Sequence, residues 1–217
     1  MKVLVLGGTG QVGQHIIKQL LDKNHHITAI VRNPGKLTVA HDNLNIVEAD
    51  IFNAESLTPH FKDQEAVLSA LGFGQAYKST TLFVDSIKPI LEAIKANNIT
   101  RLITCSSWYA DTPTNSNDMG FMLRWFVMPM LRGILDDIHR MEEIVMSKEE
   151  INYTFVKPPR LENTEMVEEG KIVAQEGDFI KDNIMSKISR GNVAQFMIKC
   201  LTDPTWDRKK VAIAPHS

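Results

Sequence analysis

Cysteine is scarce in this chain. Only Cys105 and Cys200 occur in 217 residues, each inside an apolar stretch. Such thiols read as buried and reduced rather than as a disulfide framework. An excess of charge is missing too: 24 Lys and Arg against 26 Asp and Glu leave a net charge of −2. That offers no basic field for nucleic acid or for an anionic membrane surface. Long apolar runs are also lacking. The richest, GFMLRWFVMPMLRGIL, is broken by Arg124, Pro129 and Arg132, so no membrane span is expected. The seven histidines are scattered without metal-ligand spacing, and no metal site is expected. Repeats and low-complexity tracts are absent. Met1 leads directly into the first apolar run, so no leader is expected and the expected location is cytoplasmic.

What the chain does have is alternation. KVLVLG, HITAIVR, LNIVEAD, AVLSALG, RLITCSS, NYTFVK and KVAIAP read as strands, rich in Val, Ile and Leu. Their lack of polar alternation suits strands covered on both faces. GQHIIKQLLDK, TLFVDSIKPILEAIKANN and ILDDIHRMEEIVMSKEE carry apolar residues at helical spacing. Pro89 is expected to kink or divide the second of these. Strand–helix alternation predicts an α/β fold, a doubly wound parallel sheet with helices on both faces. A single domain over 1–217 is expected. Two stretches break the rhythm, about 108–135 and 160–186. Both follow carboxyl ends of strands, where an open sheet of this type binds ligands, so both are expected to cover a substrate.

Gly7, Gly10 and Gly13 follow the first strand and lead into the first helix. A helix start offers free N–H groups and a positive partial charge, which suit a phosphate. Gly7 allows the tight turn, Gly10 lets a pyrophosphate approach the backbone, and Gly13 lets helix and strand pack closely. In this context the pattern points to a dinucleotide, in a Rossmann-type arrangement. At the end of the second strand an acidic residue would bond the 2′-OH of NAD, whereas arginine would meet the 2′-phosphate of NADP. Here Arg32 stands in IVRNPGK with Lys36 four residues on, which favours NADP(H). Asp50, closing the third strand, is placed either to bond the adenine side or to cap its own loop.

A reaction needs more than a cofactor. Tyr153 and Lys157 form one formal Tyr-x-x-x-Lys match, the acid–base pair of many dehydrogenases. The segment reads as a strand running into Pro158 and Pro159, so the pair would lie about 13 Å apart and both residues are expected to be ordinary strand residues. Tyr109 has Pro113 where its lysine would be needed. Ser107, at the end of the fifth strand, is placed either to bond a nicotinamide or substrate or to cap a turn. Trp108 and Tyr109 would stack on a flat substrate or pack at the sheet edge. Met119, Phe121, Met122, Trp125, Phe126, Met128 and Met130 would form an adaptable wall, or simply core. Arg160 would hold a carboxylate or phosphate with two parallel hydrogen bonds, or pair with Glu162.

GGTGQVG, VRNPGKL, EADIF, SALG, ITCSS, LDDIHRMEEIV, NYTFVKPP and ISRGNVAQFMIKCL stand in the order found in a known family. Across nearly its whole length the chain resembles the atypical, NmrA-like short-chain dehydrogenase/reductases, and most of all their NADPH-dependent flavin reductase and biliverdin-IXβ reductase branch. The resemblance implies that Gly7, Thr9, Gly10, Gln11, Val12, Arg32, Asp50, Ile51, Leu71, Gly72 and Leu161 line NADP(H). It implies Lys36 and Lys88 as basic contacts and Ser107 as the serine beside the nicotinamide. Two positions depart from the family: Arg160 replaces a histidine after the Pro-Pro pair, and Ile138 separates His139 from the Asp-Asp pair. A one-residue shift on a helix turns a side chain by about 100°.

Together these readings predict a reductase that transfers hydride from NADPH to a flat conjugated acceptor: a flavin such as FMN, a biliverdin-type tetrapyrrole or a quinone. Ser107 and Arg160 are the expected catalytic residues, and the protein is expected to be a monomer or weak homodimer. The alternative is an NmrA-like regulatory protein that senses NADP(H) with little or no turnover. An epimerase would need the Tyr–Lys pair and a larger substrate domain.

Overall fold

A computed structural model describes residues 1–72, 81–110, 125, 128–180 and 186–216. Seven strands coincide with the seven apolar runs: β1 (Lys2–Leu6), β2 (His26–Val31), β3 (Leu44–Glu48), β4 (Ala66–Ser69), β5 (Arg101–Cys105), β6 (Asn152–Lys157) and, last in the chain, β10 (Lys209–Pro215). Three short strands lie between the last two: β7 (Arg160–Glu162), β8 (Ile172–Glu176) and β9 (Lys187–Ser189). The main sheet runs β3-β2-β1-β4-β5-β6-β10-β8. Neighbours are parallel as far as β10, and β8 is antiparallel to it, from Val211 opposite Glu176 to Pro215 opposite Ile172. The strand order reverses between β1 and β4, and the crevice at such a switch point is where open α/β sheets bind ligands.

The helices are α1 (Gln11–Asp22), the short α2 (Ala54–Leu57), α3 (Leu82–Ala96), α4 (Met128–Met146) and α5 (Arg190–Lys199). Strand side chains alternate between the two faces of the sheet. Val3 and Val5 meet Ile16, Ile17, Leu20, Val193 and Met197 of α1 and α5. Leu4 and Leu6 join Ile87, Ile90, Ile94, Met141 and Val145 of α3 and α4. Each such fully buried aliphatic contributes roughly 1.5–3 kcal/mol, which is why the strands need no polar face. The result is a Rossmann-like, doubly wound α/β fold.

Three features add detail to the expected fold. Pro89 does not divide its helix: α3 runs unbroken from Leu82 to Ala96. Proline removes one N–H bond there, while Phe83, Ile87, Ile90 and Ile94 keep the helix seated on the sheet. The sheet is not wholly parallel, because β8 closes the outer edge of β10. The stretch 160–186 is not simply irregular, since β7 pairs with β9 in a separate two-stranded sheet and β8 joins the main one.

Candidate functional site

The chain leaves β1 through Gly7, whose φ of +78° is open to glycine. A Cβ on Gly7 would lie 2.4 Å from the Ala70 carbonyl oxygen, so the turn is wedged against the end of β4. The Gly10 amide closes the turn onto the Gly7 carbonyl at 2.9 Å. Gly10 is then the N-cap of α1. It has no side chain to satisfy the helix N–H groups, and the first turn holds no acid. The start of α1 is therefore a bare, positively polarised end. A Cβ on Gly13 would sit 2.2 Å from the Gly7 oxygen, but one on Gly10 would meet protein only at 3.2 Å. Gly13 and Gly7 serve the packing of turn against helix. Gly10 faces space that is open apart from that oxygen, and its Cβ would enter that space. Gln14 donates to the Thr9 carbonyl at 3.1 Å and steadies the loop from outside. Gln11 is exposed and Val12 is buried.

At the end of β2, Arg32 is exposed, and Asn33 caps one helical turn, Pro34–Lys36, by accepting from the Gly35 amide at 3.1 Å. The Lys36 amide bonds the Asn33 carbonyl at 3.2 Å, closing that turn just after the strand. Neither cation is in an ion pair among the described residues. Asp50 is exposed, and its Oδ1 accepts from the Phe52 amide at 3.0 Å, so the loop-capping role is real and occupies one carboxylate oxygen. Ile51 is buried, Leu71 is half-buried, Gly72 is exposed, and Lys88 is exposed on α3. Asp50, Ile51, Leu71 and Gly72 follow the carboxyl ends of β3 and β4, beside those of β1 and β2, whereas Lys88 lies well inside α3.

Beyond β5 the site is built differently. Ser106 donates its amide to the Val156 carbonyl at 2.8 Å, and Trp108 donates its amide to that of Pro158 at 3.2 Å. These two bonds lay the turn carrying Ser107 along the Pro158–Arg160 stretch. The Ser107 hydroxyl accepts from the Tyr109 amide at 3.4 Å. Arg160 is exposed at the start of β7; Glu162, its expected partner, pairs instead with Lys187 at 2.7 Å. The structure thus brings the Ser107 and Arg160 segments together.

Trp108 takes the packing alternative. It is fully buried against Ile180, Ala212 and Ala214, leaving the half-buried Tyr109 as the aromatic beside Ser107. Met128 is core, while Trp125 and Met130 are 61% and 72% exposed. Met119, Phe121, Met122 and Phe126 lie outside the described residues, as do 111–124 and 181–185 of the two proposed covering stretches.

The Asp-Asp pair separates into two roles. Asp136 reaches Arg132 at 3.8 Å on the surface. Asp137 is buried and accepts from the Phe83 and Val84 amides at 2.8 and 3.3 Å, holding the start of α3. Burial pushes its carboxyl above the usual range, and the two amides oppose that. His139 points away, 3.4 Å from Glu143 on the outer surface of α4. Burial pushes the Cys105 and Cys200 thiols up to about 12, so neither is a thiolate near neutral pH.

Lys157 is the largest departure from expectation. It lies on strand β6, so no Tyr153–Lys157 pair forms, but it is not an ordinary strand residue. Its side chain is fully buried and meets both carboxylate oxygens of the equally buried Glu142 at 3.0 Å. Asp178 approaches the same amine at 3.2 Å, and Lys210 reaches Glu142 at 3.1 Å. Ser106 donates its hydroxyl to Glu142 as well. One signal was available: two-residue alternation puts Lys157 on the same side of β6 as the buried Tyr153 and Phe155. Among the described residues no His, Cys, Asp and Glu cluster could hold a metal ion, and no helix is long and apolar enough to cross a membrane.

Comparison with known proteins agrees with this geometry. Residues 7–204 match a family model described as NAD(P)H-binding. The chain is 28% identical to an uncharacterised chloroplastic protein of Arabidopsis thaliana, over 100% of this chain and 77% of that one. It is 30% identical to a phenylcoumaran benzylic ether reductase of Betula pendula, over 46% of this chain and 33% of the enzyme. A crystal structure from Streptococcus pneumoniae, described as a candidate NADH-flavin reductase, superposes with a TM-score of 0.77 at 19% identity, covering 99% of each chain. That last likeness shows the fold. The bare helix start, the glycine-lined turn and a family match across nearly the whole chain agree, and the protein belongs to the NAD(P)H-binding, oxidoreductase-like family.

Proposed function

We propose that this chain is an NADPH-dependent reductase of a flat conjugated acceptor of the flavin, quinone or linear tetrapyrrole class. The end of β2 carries the reading. Arg32 is exposed there with Lys36 one turn on, neither is ion-paired among the described residues, and no acid closes the strand. That arrangement suits a 2′-phosphate and lacks the carboxylate that would bond a free 2′-OH. When bound, the nicotinamide supplies the hydride.

The chain's own residues would position the reactants. The Gly10 turn and the start of α1 hold the pyrophosphate. Ser107 accepts one amide and keeps its O–H to donate toward the nicotinamide or the acceptor. Arg160 grips an acidic group on the acceptor with parallel hydrogen bonds. Lys157 is engaged with Glu142 and cannot assist a tyrosine acid, so reduction of a simple ketone finds no support. A conjugated electron-poor ring asks less: held in line it needs chiefly orientation, and its proton comes from water. The birch relative is named a reductase, which supports reductase chemistry in general.

A second reading, an NADP(H) sensor without turnover, is favoured by Arg160. The resembled reductases carry histidine there, and arginine stays protonated and cannot donate. Loss of reduced-nicotinamide absorbance on adding FMN, a small quinone or biliverdin separates the two readings. A charge-assisted contact is worth about 1.5–3 kcal/mol, so NADPH should bind about ten- to a hundredfold tighter than NADH. Arg32→Asp should narrow or invert that ratio. Equal dissociation constants in the unmutated protein would remove the NADPH claim, and failure of every acceptor would leave the sensor.

A further inference from the structure

Four ionisable side chains meet behind the Ser107 turn. Lys157 and Glu142 are fully buried, while Asp178 and Lys210 keep 35% and 21% of their side-chain surface exposed. Taken as ionised, two positive and two negative charges balance. The contacts are Lys157 with both Glu142 oxygens at 3.0 Å, Lys157 with Asp178 at 3.2 Å, and Lys210 with Glu142 at 3.1 Å and Asp178 at 4.0 Å.

Such a cluster is a poor way to stabilise a fold. Removing charges from water costs about as much as their attraction returns, and apolar replacements of similar volume are often neutral or stabilising. Its placement suggests another use. Each member belongs to a different piece of the acceptor side of the cleft. Lys157 ends β6 and directly precedes Pro158–Arg160. Glu142 sits on α4 and also receives the Ser106 hydroxyl, one residue before Ser107. Asp178 lies in the second proposed covering stretch and precedes Phe179 and Ile180, which pack with the buried Trp108. The cofactor cradle contributes nothing to the cluster.

We propose that Glu142 and Lys157 are positioning residues. They lock the Ser107 turn, the Arg160 stretch and residues 178–180 into one rigid acceptor wall, and leave the dinucleotide cradle independent. The proposal rests on the reductase reading for its catalytic consequence, but the locking itself does not.

The test is the double variant Glu142→Leu/Lys157→Met, which removes the buried pair together and leaves Asp178 and Lys210 to balance each other. Amide hydrogen exchange is followed at Ser106 and Trp108, whose N–H groups bond Val156 and Pro158, and at Gly10 as the cradle reference. We expect exchange at least tenfold faster at Ser106 and Trp108 and unchanged at Gly10. We also expect NADPH affinity within twofold of the unmutated protein and kcat/KM for FMN reduced at least tenfold. A role confined to stability would lower the melting temperature without this selective pattern. Unchanged exchange at Ser106 and Trp108, or faster exchange with full FMN turnover, overturns the proposal. Should the double variant fail to fold, Ser106→Ala cuts the serine link and keeps all four charges. It should give the same pattern in weaker form, and unaltered exchange there is equally fatal. An unmutated protein that oxidises no NADPH would end the reductase reading, and the exchange comparison would still decide the locking.

Discussion

The two ends of the ligand-binding edge are built from opposite materials. The cradle between β1 and α1 is made of backbone: glycines, an uncapped helix start and a carbonyl–amide turn. The acceptor side is made of side chains, several of them charged and out of water. Asp137, Glu142 and Lys157 are buried charged residues of that half, while Arg101, also buried, opens β5 at the opposite end of the sheet. A backbone site is local and needs only that no Cβ intrudes. A side-chain site depends on partners far along the chain, so a single change leaves a charge stranded.

The sharpest way to test this contrast is to strand a charge. Glu142→Gln removes the fully buried carboxylate and leaves the partly exposed Asp178 facing both Lys157 and Lys210. Breaking a buried pair from one side costs about 3–5 kcal/mol, which a shift in the urea midpoint would report. A loss under about 1 kcal/mol would mean that water reaches the cluster and that the two ends are less different than described.

The cradle should respond according to where each glycine faces. Gly13→Ala puts a Cβ 2.2 Å from the Gly7 oxygen, backbone against backbone. It should cost at least about 1–3 kcal/mol of overpacking, with a lower melting temperature even in the absence of cofactor. Gly10→Val should leave the melting temperature nearly unchanged and abolish NADPH binding measured by calorimetry. Normal affinity in a folded Gly10→Val protein would show that the cradle lies elsewhere.

The smallest effect concerns Arg160, an exposed residue whose removal strands nothing. Arg160→Ala should raise KM for FMN more than for uncharged riboflavin and leave kcat almost unchanged, the pattern of a binding contact. Equal effects on both flavins would show that it does not hold the phosphate.

The same contrast explains what could be read in advance. The seven strands of the parallel part announce themselves as runs rich in Val, Ile and Leu because most are covered on both faces, the edge strand β3 being the exception. The glycine turn is legible because all of its parts lie within a few residues. β7 and β9 are three residues each, and β8 reads IVAQE, half polar, so none carries an apolar run long enough to notice. The Lys157 cluster was hidden for another reason. Glu142 lies on the preceding helix and Lys210 on the last strand, and no spacing rule links positions that meet only when the sheet is assembled. Trp108, next to a candidate catalytic serine, invites a role in substrate stacking, yet its indole is spent filling the space between β10 and the segment after β8.

The insertion of β10 between β6 and β8 has a consequence for how the molecule is made. On the ribosome β8 is synthesised before β10, so it has no neighbour to pair with until the later segment arrives. Strands β1 to β6 can assemble meanwhile, because all their pairings with one another are available once β6 has emerged. Until Lys209–Pro215 emerges, the flank of β6 that will receive it stays open, and β8 waits as a loose ribbon with unpaired amides and carbonyls. Such an interval exposes sticky edges to other nascent chains. The late strand also brings Lys210 to Glu142, so the charge cluster is among the last features of the fold to close.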